Sequence, residues 1–301
     1  MNQTELLVSI TKYQHPILDE LAAIFTFLGN EEFYFLIVPL VYWCMSKQAG
    51  FRLFYIFLIS VTVNAFLKIK FAVKRPIGVE GVNSLFIESA EVGSHYPYDS
   101  FPSGHAQGST TLWGYLAYLM AKPLFWVLSI ILIFFISLSR LYSGLHWPSD
   151  VLVGIFAAII LLVIAVRLQN RLSNLSSKYH WSLATVVPLL LVFIFPEEEG
   201  VKYAGFLFGA GIGYLLEART VQMLIPTNLW KKVAAYLIGV GGLFFLQVGL
   251  KAIFPEMIVF DFIRYGCIGL WGLLGAPYVF VKLNIYKTNK EVPLSEVTVR
   301  F

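Results

Sequence analysis

The sequence predicts an all-α, polytopic membrane protein with a core of six transmembrane helices and about four more toward the C-terminus. Three observations predict it. Of 301 residues, 58% are hydrophobic and 13% are charged, against about 25% charged in a soluble globule. Such a chain cannot cover itself with polar surface, so lipid is its solvent. The apolar residues gather in runs approaching the roughly 20 residues that cross a bilayer at 1.5 Å rise each. Irregular backbone is excluded from lipid, which makes those runs helices.

Ten runs come close, at 17–30, 32–46, 51–71, 105–121, 123–140, 150–168, 181–196, 202–218, 231–251 and 262–283. The first carries Asp19 and Glu20 and can instead lie in the interface. The N-terminus, MNQTELLVSITKYQHP, lacks a basic region followed by an apolar run and a small-residue cleavage site, so no cleaved signal peptide is expected. The polar, serine-rich and basic stretch QNRLSNLSSKYH, 169–180, is the expected boundary between a core, 1–170, and additional helices, 171–301. Cys44 and Cys267 both lie in apolar runs and are expected as small packing residues, not a disulfide.

Orientation follows the basic residues. With ten crossings and cytoplasmic termini, Lys68, Lys70, Lys74, Arg75, Arg140, Lys202, Lys251 and Arg264 fall outside. The other 14 of the 22 Lys and Arg, among them Lys12, Lys290 and Arg300, fall inside. The long polar loop 72–104 then faces away from the cytoplasm.

Three clusters place charge and histidine where lipid disfavours them. KIKFAVKRP holds Lys68 and, after six residues, Arg75 and Pro76. Pro102-Ser103-Gly104-His105 opens the fourth helix of the core. SRLYSGLHWPSD holds Arg140, then after five residues His146, and after three more Asp150. Ionisable residues at such positions are functional candidates that need partners. Lys68, Arg75 and Arg140 bring three positive charges without a local acidic excess. Arginine forks match phosphate oxygens and lysine adds a point charge. Ser103 and Gly104 begin a helix, whose unpaired N–H groups favour anions, and glycine permits close backbone approach. Together they read as a cradle for phosphate. A carboxylate near His146 can fix its tautomer, so Asp150 is the expected orienting acid and His146 the expected nucleophile. His105 is then the general acid and base.

Plainer roles exist for each. Lys68 and Arg75 could be snorkelling anchors, the role assigned here to Lys70 and Lys74. Asp150 could cap a helix. His105, His146 and Asp150 could ligate a divalent metal, but three neighbouring cations would repel one, so neither metal nor cofactor is expected. His95 reads as a solvated loop residue. Most of the tryptophans and tyrosines at segment ends read as an aromatic belt, while Trp147 sits beside the expected nucleophile and can shape its pocket. Gly205, Gly209, Gly211 and Gly213 read as close helix packing. Glu217 and Arg219 could be an ion pair, a snorkelling end or part of a second site.

The three motifs, K-x6-RP, PSGH and SR-x5-H-x3-D, occur in order and with the right internal spacing, and the sequence closely resembles the type 2 phosphatidic acid phosphatase (PAP2) superfamily over about residues 30–168. The resemblance implies a six-helix core with its site at the extracytoplasmic face. It also implies metal-independent hydrolysis of a phosphomonoester or diphosphate through a phosphohistidine. By position it puts phosphate ligands at Lys68, Arg75, Ser103, Gly104 and Arg140, the nucleophile at His146, the acid at His105 and its orienting acid at Asp150. The expected partners are the bilayer and a lipid phosphate, such as phosphatidic acid, phosphatidylglycerol phosphate, undecaprenyl diphosphate or a sphingoid phosphate, with no nucleic acid and with the oligomeric state open. A bacterial plasma membrane is the expected location. A phosphotransferase with the same intermediate, or a lipid transporter or scramblase, are the alternatives.

Overall fold

A computed structural model describes residues 2–90 and 95–289. Of the features named above, residues 91–94 of the polar loop, Lys290 and Arg300 lie outside them. The chain is almost entirely helical and divides into two compact units, Met1–Phe35 with Ile56–Ser173, and Leu36–Tyr55 with Asn174–Phe301.

In the first unit, α1 (Gln3–Thr11) begins with a capping box, in which the Asn2 side chain accepts from Glu5 N and Glu5 accepts from Asn2 N. It buries Leu7 and Thr11. Gln3 Oε1 accepts from Ser149 N at 3.0 Å, and Gln14, just beyond the helix, donates to the Tyr142 carbonyl at 2.8 Å. The N-terminus therefore lies at the end of the unit that carries the histidine motifs. Ten crossings place it at the opposite end, and the difference has a physical cause. The runs 17–30 and 32–46 do not cross separately. They form α2 (Pro16–Phe27) and α3 (Glu31–Cys44), bent by 49° at a short break, and together they satisfy the length and composition of a single span. Twelve residues at 1.5 Å each are too few to cross alone. Asp19, an unwelcome residue in a span, accepts a 2.5 Å hydrogen bond from the Tyr142 hydroxyl.

The helices α4 (Lys47–Phe71), α6 (Pro123–Tyr142) and α7 (Pro148–Ser173) are long and apolar enough to cross a membrane. They turn apolar side chains outward, with Phe134, Phe156 and Ile160 each more than half exposed, as expected where lipid is the solvent. Between them lies α5 (Gly104–Met120), in which residues 106–112 are buried without interruption. Its polar side chains are satisfied by protein. Asn64 Nδ2 donates to Gln107 Oε1 at 2.8 Å, Gln107 Nε2 donates to the Ser60 carbonyl at 2.8 Å, and the Ser60 and Thr111 hydroxyls are 2.9 Å apart. This ladder fixes the start of α5 against α4, and buried polar groups must be matched in this way.

The second unit holds α8 (Ser177–Ile194), α9 (Glu198–Thr220), α10 (Leu229–Ile253) and α11 (Ile258–Leu270), which runs through a π-helical turn at Trp271–Gly275 into α12 (Ala276–Lys282). The turn frees backbone carbonyls. Trp43 Nε1 donates to the Gly272 carbonyl at 2.8 Å and the Tyr42 hydroxyl to that of Leu273 at 3.1 Å. A two-residue antiparallel pair, β1 (Met223–Leu224) with β2 (Lys287–Thr288), closes one end. Glu217 and Arg219 do not pair with each other. Glu217 is fully buried, receives Lys47 Nζ at 2.9 and 3.0 Å and accepts from Met223 N at 2.7 Å. Arg219 lies over the Trp181 ring. Cys44 and Cys267 are free thiols.

The glycines of α9 are packing residues. A Cβ built on Gly209 falls 1.9 Å from the Gly266 carbonyl oxygen, and one on Gly205 falls 2.3 Å from that of Phe262, so α9 and α11 touch backbone to backbone. Gly209→Ala should therefore lower the thermal midpoint in detergent, costing about 1–3 kcal/mol through overpacking. Gly249→Ala, where a Cβ meets nothing within 4 Å, should be neutral or slightly stabilising, since alanine is the better helix former. Equal effects would refute the contact.

Candidate active site

The end of the first unit that receives the C-termini of α4 and α6 and the N-termini of α5 and α7 gathers the three motifs. Lys68 occupies the last turn of α4. The chain then leaves the helix through Ala72, whose φ of 46° turns it sharply, and runs beside the segment before α5. Arg75 N donates to the Pro97 carbonyl at 2.9 Å and Ser100 N to that of Val73 at 2.9 Å. This pairing fixes the register between the first motif and the approach to the second.

Ser103 and Gly104 open α5. Ser103 is fully buried, its hydroxyl caps the helix by accepting from Ala106 N, and its own N–H donates to the Asp150 carbonyl at 2.9 Å. A Cβ built on Gly154 of α7 falls 2.7 Å from the Ser103 carbonyl oxygen, so glycine is what lets α7 approach this point. His105 follows in the first turn. Its Nε2 lies 2.8 Å from Asn30 Oδ1, and a Cβ built on Gly29 would meet its ring at 2.9 Å. The break between α2 and α3 is thus packed against His105. Arg140, 1% exposed near the end of α6, directs Nη1 toward the Ser89 hydroxyl at 3.2 Å and, more weakly, toward Thr26 Oγ1 at 3.5 Å. Its Nε has no partner among the described residues.

The turn from α6 to α7 carries His146, which is 1% exposed. Gly144 makes the turn at φ 62°, where a Cβ would fall 2.5 Å from the Asn83 carbonyl oxygen. His146 Nδ1 faces two acceptors, the Ser100 carbonyl at 2.8 Å and Asp150 Oδ2 at 3.5 Å. Only a protonated Nδ1 satisfies them, so Nε2 carries the lone pair. Arg75 Nη1 approaches that lone pair at 3.1 Å. Burial, then the positive fields of Arg75, Arg140, Lys68 and His105, push the His146 imidazole well below its ordinary value, which keeps it neutral.

Asp150 is closer to other partners than to His146. Its Oδ2 accepts from Trp147 N at 2.8 Å, which closes the first turn of α7, and from the Ser100 hydroxyl at 2.5 Å. The direct acceptor for His146 is therefore the Ser100 carbonyl, and Asp150 holds Ser100 and the helix start. Trp147 ties the turn to the first motif through Nε1 and the Lys74 carbonyl, at 2.9 Å.

The cationic cluster has an acidic partner that spacing did not disclose. Asp99, 5% exposed, accepts from Arg75 Nε and Nη2, both at 2.7 Å, and lies 3.6 Å from Lys68 Nζ. Burial acts to raise its pKa, but the Arg75 hydrogen bonds and the Lys68 charge prevail and hold it below the usual carboxylate range. Asp99 and Ser100 belong to no motif, yet both touch motif side chains. Their only signal was position, within four residues of the PSGH run. Thr26 and Asn30 gave none, because they reach the site through the α2–α3 break. His95 is half-buried, and its carbonyl accepts from Tyr98 N.

A helical membrane protein with one buried and one half-buried histidine and a cluster of cations gathered at one end of a helix cluster is the class defined so far, and family comparison narrows it. Residues 49–174 match the PAP2 superfamily, and residues 201–288 match the transmembrane extension of PAP2 superfamily phosphatases. The chain belongs to the PAP2 superfamily. It is 25% identical over 240 residues to a probable sphingosine-1-phosphate phosphatase of Dictyostelium discoideum, a match covering 71% of this chain and 56% of that protein. It is 32% identical over 111 residues to an undecaprenyl-diphosphatase of Sulfolobus acidocaldarius, covering 36% of this chain and 50% of the relative. Among solved structures, Aquifex aeolicus LpxE is 27% identical, with a TM-score of 0.48, over 55% of this chain and 94% of that one. The chain thus spans about half the length of these curated relatives.

Removing one member of a buried charge pair strands the other. Arg75→Ala should cost about 3–5 kcal/mol on that basis, and the double change Arg75→Ala/Asp99→Ala should be less destabilised than Arg75→Ala alone. Thermal unfolding in detergent measures both, and a double variant that is worse by the full sum of the single changes would show that the pair is not coupled.

Proposed function

We propose that this chain hydrolyses the phosphate ester or diphosphate headgroup of a membrane lipid, through a phosphohistidine on His146 and without a metal. The observation that carries the proposal is the state of His146. It is buried and neutral, its Nδ1 is held by a carbonyl, and its Nε2 lone pair meets an arginine N–H at 3.1 Å. A nucleophile for phosphorus needs a free lone pair at the point where cations gather. Phosphoryl transfer asks the protein mainly for positioning and charge stabilisation, and Lys68, Arg75 and Arg140 with the first amides of α5 supply both.

In the first half-reaction, Nε2 attacks phosphorus, the bond to the lipid oxygen breaks, and His105, protonated once the bound phosphate anion offsets the neighbouring cations, gives that oxygen a proton. In the second, water attacks phosphorus, the P–N bond breaks, and His105 takes the proton of the water. Gly104 holds a phosphoryl oxygen through its backbone N–H and Ser103 through its hydroxyl, since the Ser103 N–H is taken by the Asp150 carbonyl, and Asp150 positions His146 by fixing Ser100 and the start of α7. We assign the reaction to residues 1–170, with 171–301 extending the membrane part.

A lipid phosphate fits best because the residues lie at the ends of spans, where a headgroup can reach them while its tail stays in hydrocarbon. Two of the relatives named above are a sphingosine-1-phosphate phosphatase and an undecaprenyl-diphosphatase, which supports that class. The distribution of Lys and Arg favours the extracytoplasmic face.

Purified protein should release inorganic phosphate from phosphatidic acid, sphingosine 1-phosphate or undecaprenyl diphosphate with excess EDTA present. His146→Ala should lower turnover by at least about 10³-fold while retaining its melting profile. Asp150→Asn should lower it about 10- to 100-fold, the usual effect of losing an outer-shell partner. Transfer of phosphate to an added alcohol in place of release would identify a phosphotransferase, and full activity in His146→Ala would refute the mechanism.

The lowered pKa of His146 sets the sign of the pH dependence. A depressed value keeps the nucleophile unprotonated as pH falls through the ordinary histidine range. The acid limb of kcat/KM assigned to His146 should lie below about 6.5, once the substrate's own second ionisation near about 6 is allowed for. A His146 limb above that value would contradict the assigned environment.

A further inference from the structure

The guanidinium of Arg75 has its N–H groups already committed. Nε and Nη2 grip the two oxygens of Asp99 at 2.7 Å each, with Nη2 also 3.5 Å from the Asp99 carbonyl. Nη1 donates to the Leu145 carbonyl at 3.0 Å and faces His146 Nε2 at 3.1 Å. The Nε–Nη2 edge is the one arginine usually offers bidentately to phosphate. Here a carboxylate occupies it, and only Nη1 points to the place where phosphorus must sit if Nε2 is to attack. Asp99 cannot drift away easily, because Ser100 N is bonded to the Val73 carbonyl and the Ser100 side chain to Asp150. The same carboxylate lies 3.6 Å from Lys68 Nζ, so one acidic group spans two of the three cations.

Resting on the phosphatase reading above, we propose that Asp99 is a positioning residue that locks Arg75 edge-on, so that Nη1 alone is delivered to the phosphoryl group beside His146. Asp99 lies on the far edge of the guanidinium from the nucleophile, so a phosphoryl group at Nε2 does not displace it. It acts through Arg75 and Lys68 and touches no reacting atom. Its loss frees Arg75 to take the phosphate by the other edge. The headgroup is then still bound, with one more uncompensated positive charge, but it is not held in line with Nε2. Binding should be kept or improved while turnover falls, which separates a positioning role from a phosphate-binding one.

The test is steady-state kinetics of the full chain in detergent on phosphatidic acid, sphingosine 1-phosphate or undecaprenyl diphosphate, whichever the wild type turns over fastest, with vanadate inhibition measured alongside. Asp99→Asn should lower kcat about 10- to 100-fold, leave KM no higher than in the wild type, and keep vanadate inhibition. Retained vanadate binding shows that the site is folded. Asp99→Glu, which keeps the charge on an arm longer by one methylene, should fall between the two. If Asp99→Asn does not fold, Asp99→Glu decides, and a severalfold lower kcat at unchanged KM supports the proposal. Wild-type kcat and KM in whichever variant decides, or a raised KM at unchanged kcat, would overturn it. Wild-type turnover with an indifferent Asp99 would overturn this proposal alone. A wild type that hydrolyses none of the three lipids would overturn the phosphatase reading and this proposal with it.

Discussion

Everything at the motif end of this chain depends on placing positive charge inside a protein whose solvent is hydrocarbon. Arg75 and Arg140 are at most 4% exposed, and an unpaired ion in such a place is costly. The fold meets the cost by making each cation part of a polar lattice. Asp99 bridges Arg75 and Lys68, Ser89 and Thr26 face Arg140, and the Leu145 carbonyl accepts from Arg75 Nη1. The lattice also sets the protonation state of His146, since a buried imidazole among cations stays neutral. Charge burial and the neutral state of the His146 imidazole are therefore one arrangement.

The same constraint explains which parts of the site were legible in the sequence. Lys68, Arg75, Ser103, Gly104, His105, Arg140, His146 and Asp150 announce themselves because helix ends fix their spacing and lipid makes them conspicuous. The structure brings all of them to one end of one unit. Asp99, Ser100, Thr26 and Asn30 were not legible, for two physical reasons. Asp99 and Ser100 sit outside any helix, in a segment whose register is set by hydrogen bonds to residues 73–75, a non-local pairing with no periodic signal. Thr26 and Asn30 arrive through the break between α2 and α3, and hydropathy reads that break as the end of one span and the start of another. The same misreading moved the N-terminus to the wrong end of the unit.

The role of Asp150 was only partly visible. Its spacing from His146 suggests a direct hydrogen bond, whereas the carboxylate closes the first turn of α7 and holds Ser100, whose carbonyl meets the histidine. A position that caps a helix can thereby position a side chain in the preceding turn. In the second unit the buried Glu217 shows the rule that buried charge is paired charge, met by Lys47 and a backbone N–H, while the α9 glycines allow the backbone contact that replaces hydrophobic attraction between helices in lipid.

The central claim is that the Nε2 lone pair of His146, held beside Arg75, attacks phosphorus. The most direct test is to mix the protein with a ³²P-headgroup lipid phosphate, quench rapidly in alkali, and locate any bound phosphate by mass spectrometry of the fragment containing His146. The account predicts an acid-labile, alkali-stable phosphoryl group on His146 that forms and decays fast enough to carry turnover. Turnover without a covalent intermediate, or with the label on any other residue, would contradict it.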